Sequence, residues 1–363
     1  MNADRRWMDY ALRLGRRALG TTAENPPVGC VVVKDGRVLG VGWTQPGGRP
    51  HAETEALKMS GDVAKGATAY VTLEPCAHYG RTPPCAEALV KAGLARVVTA
   101  LEDPDPRVSG GGHAVLKAAG ITFETGISAE EARRDLAGFL NRIQKKRPYV
   151  TLKIGVSADG KIAAGPGQRT SITGKEVKSR VHLIRAQSDA VLVGLSTVLI
   201  DDPDLTCRLP GMEARSPIRI VADTRLSIPS KAKLVKTADQ VPVWILSTRK
   251  GGVSAGITVI DCKQTSSGWV DLADAMEQLG ERGINRLLVE GGSHIYQSFL
   301  EADLVDEVQL FRSPAIIGPQ GIDAIADTPL STLEKRFKTA QKEVLGTDTL
   351  TVYERPHVHR DSH

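Results

Sequence analysis

One histidine, one glutamate and two cysteines define chemistry that this chain could perform: His51-Ala52-Glu53, Pro75-Cys76 and Cys85. An imidazole and two thiolates make a three-ligand set for Zn²⁺ and leave the fourth position of a tetrahedral ion open. Water there ionises near neutral pH and can attack an amidine-like ring carbon, while a neighbouring carboxylate takes its proton and returns it to the departing ammonia. His51, Cys76 and Cys85 fit the ligand roles and Glu53 the proton shuttle. Singly the pieces are weak. A His-x-Glu pair also suits a solvated helix face, and Pro-Cys with a second Cys nine residues on also suits a structural zinc or two unrelated buried thiols. Their order along the chain, each at a strand-to-helix junction, gives them weight.

The elements that must position them can be read from the pattern. A-E-T-E-A-L-K predicts a helix with His51 and Glu53 in its first turn, and the apolar strand T-A-Y-V-T-L leads into E-P-C-A-H, with a second helix from about Cys85 to Ala92. Two helix N-termini then face the metal, where their partial positive charge favours thiolate over thiol. Trp7, Tyr10, Ala11, Leu14, Ala18 and Leu19 recur at helical spacing ahead of them. V-G-C-V-V-V, K-D-G and R-V-L-G-V-G form a hairpin signal, with Asp35-Gly36 able to supply positive φ at its turn. Strand R-V-V-T-A-L, a short helix from Gly112 to Ala119, strand I-T-F and helix S-A-E-E-A-R-R-D-L-A-G-F-L follow. This order predicts a three-layer α/β domain with a mixed sheet.

A chain of 363 residues with 41% hydrophobic content has room for two domains, each with its own core. The net charge of +5 comes without a Lys/Arg block or interleaved aromatics, which argues against a nucleic-acid groove and suits phosphorylated small molecules. Cys30, Cys207 and Cys262 fall outside the zinc motif with no disulfide-like spacing, pointing to a reducing compartment. The amphipathic N-terminus lacks the apolar core of a signal peptide, and no run approaches membrane-spanning length, so the expected location is the cytoplasm. A homo-oligomer is compatible with the sequence, which leaves the oligomeric state open.

The basic, Pro-punctuated segment N-R-I-Q-K-K-R-P-Y marks a boundary, with a first domain over 1–146 and a second over 147–356. In the second, D-A-V-L-V-G, I-R-I-V-A-D, V-W-I-L-S, I-T-V-I-D and R-L-L-V-E-G-G are short apolar runs between helical stretches, as in a predominantly parallel sheet. Gly291-Gly292 precedes a helix beginning near Ser293, where backbone N–H groups could hold a phosphate. Alone, the pair equally suits a tight turn. The tail 357–363, with three histidines, is expected to be disordered rather than a metal site.

N-P-P-V-G-C, H-A-E and E-P-C-A-H-Y-G-R-T-P-P-C, in this order, resemble the deaminase half of the bifunctional riboflavin-biosynthesis deaminase/reductases. The eight residues between Cys76 and Cys85 set this chain apart from cytidine and tRNA adenosine deaminases, which usually have two. L-K-I-G-V-S-A-D-G-K-I-A, H-L-I-R-A-Q-S-D-A-V-L-V-G, T-V-L-I-D-D-P-D-L-T-C-R and V-E-G-G resemble the reductase half. The resemblance implies a cytidine-deaminase-like domain followed by a dihydrofolate-reductase-like domain. It also implies zinc-dependent deamination of 2,5-diamino-6-(ribosylamino)-4(3H)-pyrimidinone 5′-phosphate and NADPH-dependent reduction of the product's ribose to ribityl. By the same resemblance Asn25, Ala77, His78 and Arg81 contact the ring and phosphate of the first substrate. Lys153, Arg169, Arg185, Leu205, Arg208 and Glu290 face the second, with Glu290 or Lys153 assisting ring opening to an imine-like acceptor. Gly155, Ser171, Thr197, Asp201, Thr224 and the run Gly292, Ser293, His294, Ile295, Tyr296, Gln297 and Ser298 face NADPH.

Two positions depart from the family pattern: Thr44 follows Trp43 where a His is usual, and Ser171 opens Ser-Ile-Thr where a Trp is usual. Two alternatives remain on sequence alone. One is a nucleoside or tRNA deaminase carrying an unrelated accessory domain; the other is a zinc-stabilised nucleotide-binding module in which Glu53 only caps a helix.

Overall fold

Apolar β-branched strands bury both faces only when helices cover them, and the chain builds such a sheet twice. A computed structural model describes residues 3–80, 83–251 and 256–356, and divides into the units Met1–Lys146 and Arg147–His363.

The first unit runs α1 (Ala3–Gly15), β1 (Gly29–Lys34), β2 (Arg37–Trp43), α2 (Ala52–Ser60), β3 (Thr68–Val71), α3 (Cys85–Lys91), β4 (Arg96–Thr99), α4 (Gly111–Ala118), β5 (Thr122–Thr125), α5 (Ala129–Asp135) and α6 (Ala137–Lys145). Its sheet has the order β2-β1-β3-β4-β5, antiparallel across β2, β1 and β3 and parallel onward to β5. Asp35 and Gly36 take φ of 51° and 71° at the hairpin tip, the geometry that matches the twist of the flanking strands. Gly40 and Gly42 on β2 lie so close to α2 that a Cβ on either would overlap the carbonyl oxygen of Ala56 or Ala52. Their bareness lets α2 settle on the sheet, and this sets where His51 emerges. The single helix expected from Ser128 to Leu140 is two. Leu136 leaves the helical path (φ −90°, ψ 1°) and is buried, while Asp135 takes the Arg16 guanidinium at 2.8 and 2.9 Å.

The second unit runs β6 (Tyr149–Val156), β7 (Lys161–Ala163), α7 (Lys175–Ala186), β8 (Ala190–Gly194), α8 (Leu195–Asp201), β9 (Ile218–Ala222), α9 (Lys233–Lys236), β10 (Val243–Ser247), β11 (Ile257–Asp261), α10 (Leu272–Glu281), β12 (Arg286–Val289), α11 (Ser293–Glu301), β13 (Glu307–Arg312), β14 (Ile322–Asp323), α12 (Thr332–Arg336), β15 (Lys338–Leu345) and β16 (Asp348–Glu354). The order is β11-β10-β9-β8-β12-β6-β13-β16-β15, parallel from β11 to β13 and antiparallel at β16 and β15; β7 and β14 pair separately. Every residue of β8 is buried, as a central parallel strand requires. Arg147 forks onto Asp306 at 2.6 and 2.9 Å, and Asp306 also accepts the Val150 amide at 2.9 Å, tying the start of β6 to β13.

Arg219 in β9 is fully buried without a carboxylate partner among the described residues. Its guanidinium donates to the carbonyls of Asp204 (3.4 Å), Thr237 (2.8 Å) and Val241 and to the Thr237 hydroxyl (2.8 Å). No helix of the described residues is long and apolar enough to cross a membrane. Arg81 and the tail 357–363 lie outside the described residues.

Candidate functional site

His51 is the N-cap of α2, in extended conformation, and its own side chain makes no capping bond, leaving the ring free to turn aside. Its Nδ1 lies 3.7 Å from Cys76 Sγ, on the loop after β3, and 3.3 Å from Cys85 Sγ, on the first residue of α3. The three donor atoms lie within 4.8 Å of one another. His51 Nε2 is buried without a partner, so the ring offers its hydrogen-bonding face to the sulfurs. Between the sulfurs, the hydrogen bond from Cys85 pulls Cys76 down to about 4, helped by His51, while the same contact and burial push Cys85 up. One thiolate, one thiol and one imidazole at this spacing are a zinc ligand set short of losing one proton, so the residues fit the ion.

Glu53, two residues on and in the first turn of α2, is buried beside this cluster. Burial pushes its carboxyl up to about 7 against the attraction of His51. The cleft above is lined by Asn25, Thr44, Arg49, His78, Asp103, Asp105, Arg107 and Arg142 together with His51, Glu53 and Cys76. His78 Nδ1 is buried without a partner. Asp103 is buried, which raises its carboxyl to about 7. Asn25 is packed against Gly48, where φ is 86° and a Cβ would overlap the amide.

Of the residues expected at the ring and phosphate, Asn25 and His78 line the cleft. Ala77 does not: its methyl faces Gly111, where a Cβ would come within 3.1 Å of it. Thr44 spends its hydroxyl on the entry to β1, donating to the Pro26 carbonyl at 2.9 Å and accepting the Val28 amide at 3.0 Å. The sequence reading missed Asp103, Asp105, Arg107, Arg142 and Arg49, because their segments carry no pattern that marks a cleft wall before the fold assembles it.

In the second unit the pairing of β12 with β6 and β8 brings Glu290 beside Lys153, since Val289 is paired with Leu152 and the Glu290 amide donates to Leu192 O at 2.9 Å. Arg185 from α7 forks onto Glu290 (Nε to Oε1 2.6 Å, Nη2 to Oε2 2.9 Å) and donates to Thr206 O at 3.1 Å. Burial pushes the Glu290 carboxyl up, but Arg185 and Lys153 more than offset this and hold it below the usual range. Burial lowers the Lys153 ammonium against the pull of Glu290. Leu205 is buried with φ of 55°, held in a segment whose Asp204 carbonyl Arg219 grips. His182 Nδ1 lies 3.1 Å from Thr206 O and 3.3 Å from the Arg208 amide, so it pins the same segment. Arg208 is exposed, its Nη1 3.3 Å from Asp204. Arg169 is exposed near enough to pull on Asp201, whose carboxyl burial raises.

Gly291 and Gly292 enter α11 beside α8: a Cβ on them would lie 3.1 and 3.6 Å from Thr197 Oγ1. Gly292 has φ of 85° and leaves the helix without a side-chain cap, so first-turn N–H groups at Ser293, His294 and Ile295 face outward from a bare backbone cradle. That cradle suits a cofactor phosphate. Gly155 abuts Thr173, and Ser171 is exposed with Lys178 Nζ 3.2 Å from its Oγ. The Thr224 hydroxyl accepts the Val270 amide at 3.3 Å at the C-terminal end of β9.

One expectation fails for its side chain. Tyr296 was expected to face the cofactor, yet it is buried in the core with its hydroxyl on Lys153 O at 2.6 Å, because a residue three past Ser293 points back toward the sheet. Gln297 and Ser298 bond within their own helix, to Glu301 (2.7 Å) and to His294 O (2.8 Å).

Comparison with known proteins agrees with this geometry. The model of the cytidine and deoxycytidylate deaminase zinc-binding region matches residues 1–101, and that of the RibD C-terminal domain matches 148–351. Riboflavin biosynthesis protein RibD of Aquifex aeolicus is 40% identical over 97% of this chain and 98% of its own length, and that of Escherichia coli 41% over 95% and 97%. The structure of Acinetobacter baumannii RibD superposes with a TM-score of 0.87 at 36% identity, covering 98% of this chain and 99% of that one. A Thermotoga maritima structure, described as a diaminohydroxyphosphoribosylaminopyrimidine deaminase/5-amino-6-(5-phosphoribosylamino)uracil reductase, gives 0.86 at 33% identity, covering 97% and 99%. Two matching halves in one chain, each with its own constructed site, place this chain in the family of bifunctional riboflavin-biosynthesis deaminase/reductases.

Proposed function

We propose that the chain performs two successive steps of riboflavin synthesis. The first unit removes the amino group of 2,5-diamino-6-(ribosylamino)-4(3H)-pyrimidinone 5′-phosphate by hydrolysis. The second reduces the resulting 5-amino-6-(5-phosphoribosylamino)uracil to its ribitylamino form. The observation that carries this is the convergence of His51 Nδ1, Cys76 Sγ and Cys85 Sγ next to a buried Glu53, in a chain whose second unit buries Glu290 between Arg185 and Lys153.

Zinc, when bound, supplies a Lewis acid that lowers the pKa of water. His51, Cys76 and Cys85 would hold it, and Glu53 holds the proton in transit, since a carboxyl near 7 can both take and give one at neutral pH. His78 and Asn25 supply ring contacts, and Arg49, Arg107 and Arg142 make the cleft mouth cationic, which favours a phosphorylated substrate.

NADPH supplies the hydride of the second step. The cradle from Gly292 to Ile295 and the Thr197 hydroxyl would hold its phosphates, with Asp201 and Thr224 at neighbouring strand ends. Glu290, kept ionised by Arg185, is placed to move a proton at the sugar; Lys153 and Arg208 supply cations for the phosphorylated ribose. The boundary between the two activities lies at residues 146/147. The five cysteines without disulfides are consistent with a cytoplasmic location.

The test is to incubate the pure protein with the diaminopyrimidine substrate, with and without NADPH, and weigh the products. Without NADPH an amino group should be exchanged for a carbonyl; with it two hydrogens should be added as well. Ammonia release unaffected by zinc removal would refute the first half.

A further inference from the structure

Glu74 lies between β3 and the ligand Cys76, and its side chain is wholly buried. It takes four backbone amides from one segment. Oε2 accepts from Asp103 (3.2 Å) and Gly110 (3.1 Å); Oε1 accepts from Gly112 (2.9 Å) and His113 (3.2 Å). The Glu74 amide in turn donates to Leu101 O at 2.9 Å. The donors stand at both ends of the stretch that joins β4 to the first turn of α4. Between them lie Asp105, Arg107 and Val108, which with Asp103 form one wall of the cleft over His51 and Glu53. Gly112 passes so near the turn carrying Cys76 that a Cβ there would overlap the Pro75 carbonyl oxygen.

A buried carboxylate is costly unless its lone pairs are used, and here four N–H groups use them. A segment that only needed to cover the core would be served by an apolar side chain. A segment that only needed a helix cap would be served by a short hydroxyl, which cannot reach amides at both of its ends. We infer that Glu74 is a positioning residue of the hydrolytic site: it clamps the 103–113 wall to the turn that carries Cys76, so that a ring bound against the wall meets Glu53 at a fixed distance. This rests on the deaminase reading above.

Glu74→Gln in the full-length protein tests it, since the amide keeps the shape but turns N–H toward N–H at one of the two donor pairs. The variant should keep its zinc and its NADPH-dependent reduction of pre-deaminated substrate. In ammonia release, KM should rise by about ten-fold, the equivalent of about 1.4 kcal/mol, with kcat little changed. Amide exchange should quicken across 103–113 while β1 and β3 stay protected. Glu74→Asp, which keeps an acceptor-only group with shorter reach, should fall between parent and amide. Unchanged KM and exchange would overturn the clamp. So would loss of zinc or of the folded first unit, because Glu74 would then hold the fold rather than the wall. A parent that released no ammonia would instead refute the deaminase reading, while exchange in the variant would still report on the clamp.

Discussion

Replacing Arg185 with Met leaves Glu290 as a buried carboxylate without its fork. The two side chains are 11% and 5% exposed, so solvent cannot take over the lost bonds. Removing one partner of a buried pair costs about 3–5 kcal/mol. Lys153 stays nearby and attracts the same carboxylate, which places the expectation at about 3 kcal/mol, the lower end of that range. For a unit of this size that lowers its melting temperature by about 6–12 °C. The pH dependence should also change sign. In the parent, Glu290 has a depressed pKa, so its contribution to stability is present above the unfolded carboxyl value and is lost as acid protonates it in the fold. Without Arg185, burial is the largest remaining influence and raises that pKa. The contribution is then greatest below the unfolded value and is lost as pH rises through the folded one. Thermal unfolding of the second unit from pH 4 to 8, with ammonia release by the first unit as an internal control, measures both effects. A melting temperature within a degree or two of the parent, with the same pH slope, would refute the reasoning.

Cys76→Ser or Cys85→Ser should lose zinc and ammonia release together, whereas Glu53→Gln should keep its zinc and lose about 10²–10⁴ in kcat; metal analysis alongside the assay separates them, and full turnover in Glu53→Gln would remove the proton-shuttle role. Chelating the zinc should stop deamination and leave reduction of pre-deaminated substrate intact, as a product assay in both modes would show. Gly292→Val should weaken NADPH by about ten-fold or more, because a side chain at φ of 85° is strained and fills the approach to the α11 backbone. Glu290→Gln should instead slow single-turnover reduction with NADPH affinity little altered, and fluorescence titration of the two variants distinguishes a cradle from a plain turn.

The parts of these sites that the sequence made legible are those set by covalent neighbours. His51 and Glu53 share one turn of α2, Cys85 opens α3, and Gly292 precedes Ser293, so motif and element coincide. What stayed hidden was set by strand order and by loops. β15 is a mostly exposed, polar strand without clean alternation, and only its pairing with β16 reveals it. Arg219 sits inside an apolar run, I-R-I-V-A-D, where a charge reads as an edge or surface position; its burial depends on carbonyls from Asp204, Thr237 and Val241 that gather around it only in the folded unit. The cleft wall over the zinc ligands shows the same limit. Asp103, Asp105 and Arg107 read as a turn-rich linker, and nothing local marks them as facing His51; the buried Glu74, which takes amides from both ends of that linker, turns it into a wall. A carboxylate beside a metal-ligand cysteine is legible as a motif, but the segment it organises is legible only through the bonds it accepts. The family motif E-P-C therefore encodes two things at once: a ligand for the metal and the anchor of the surface that presents substrate to it.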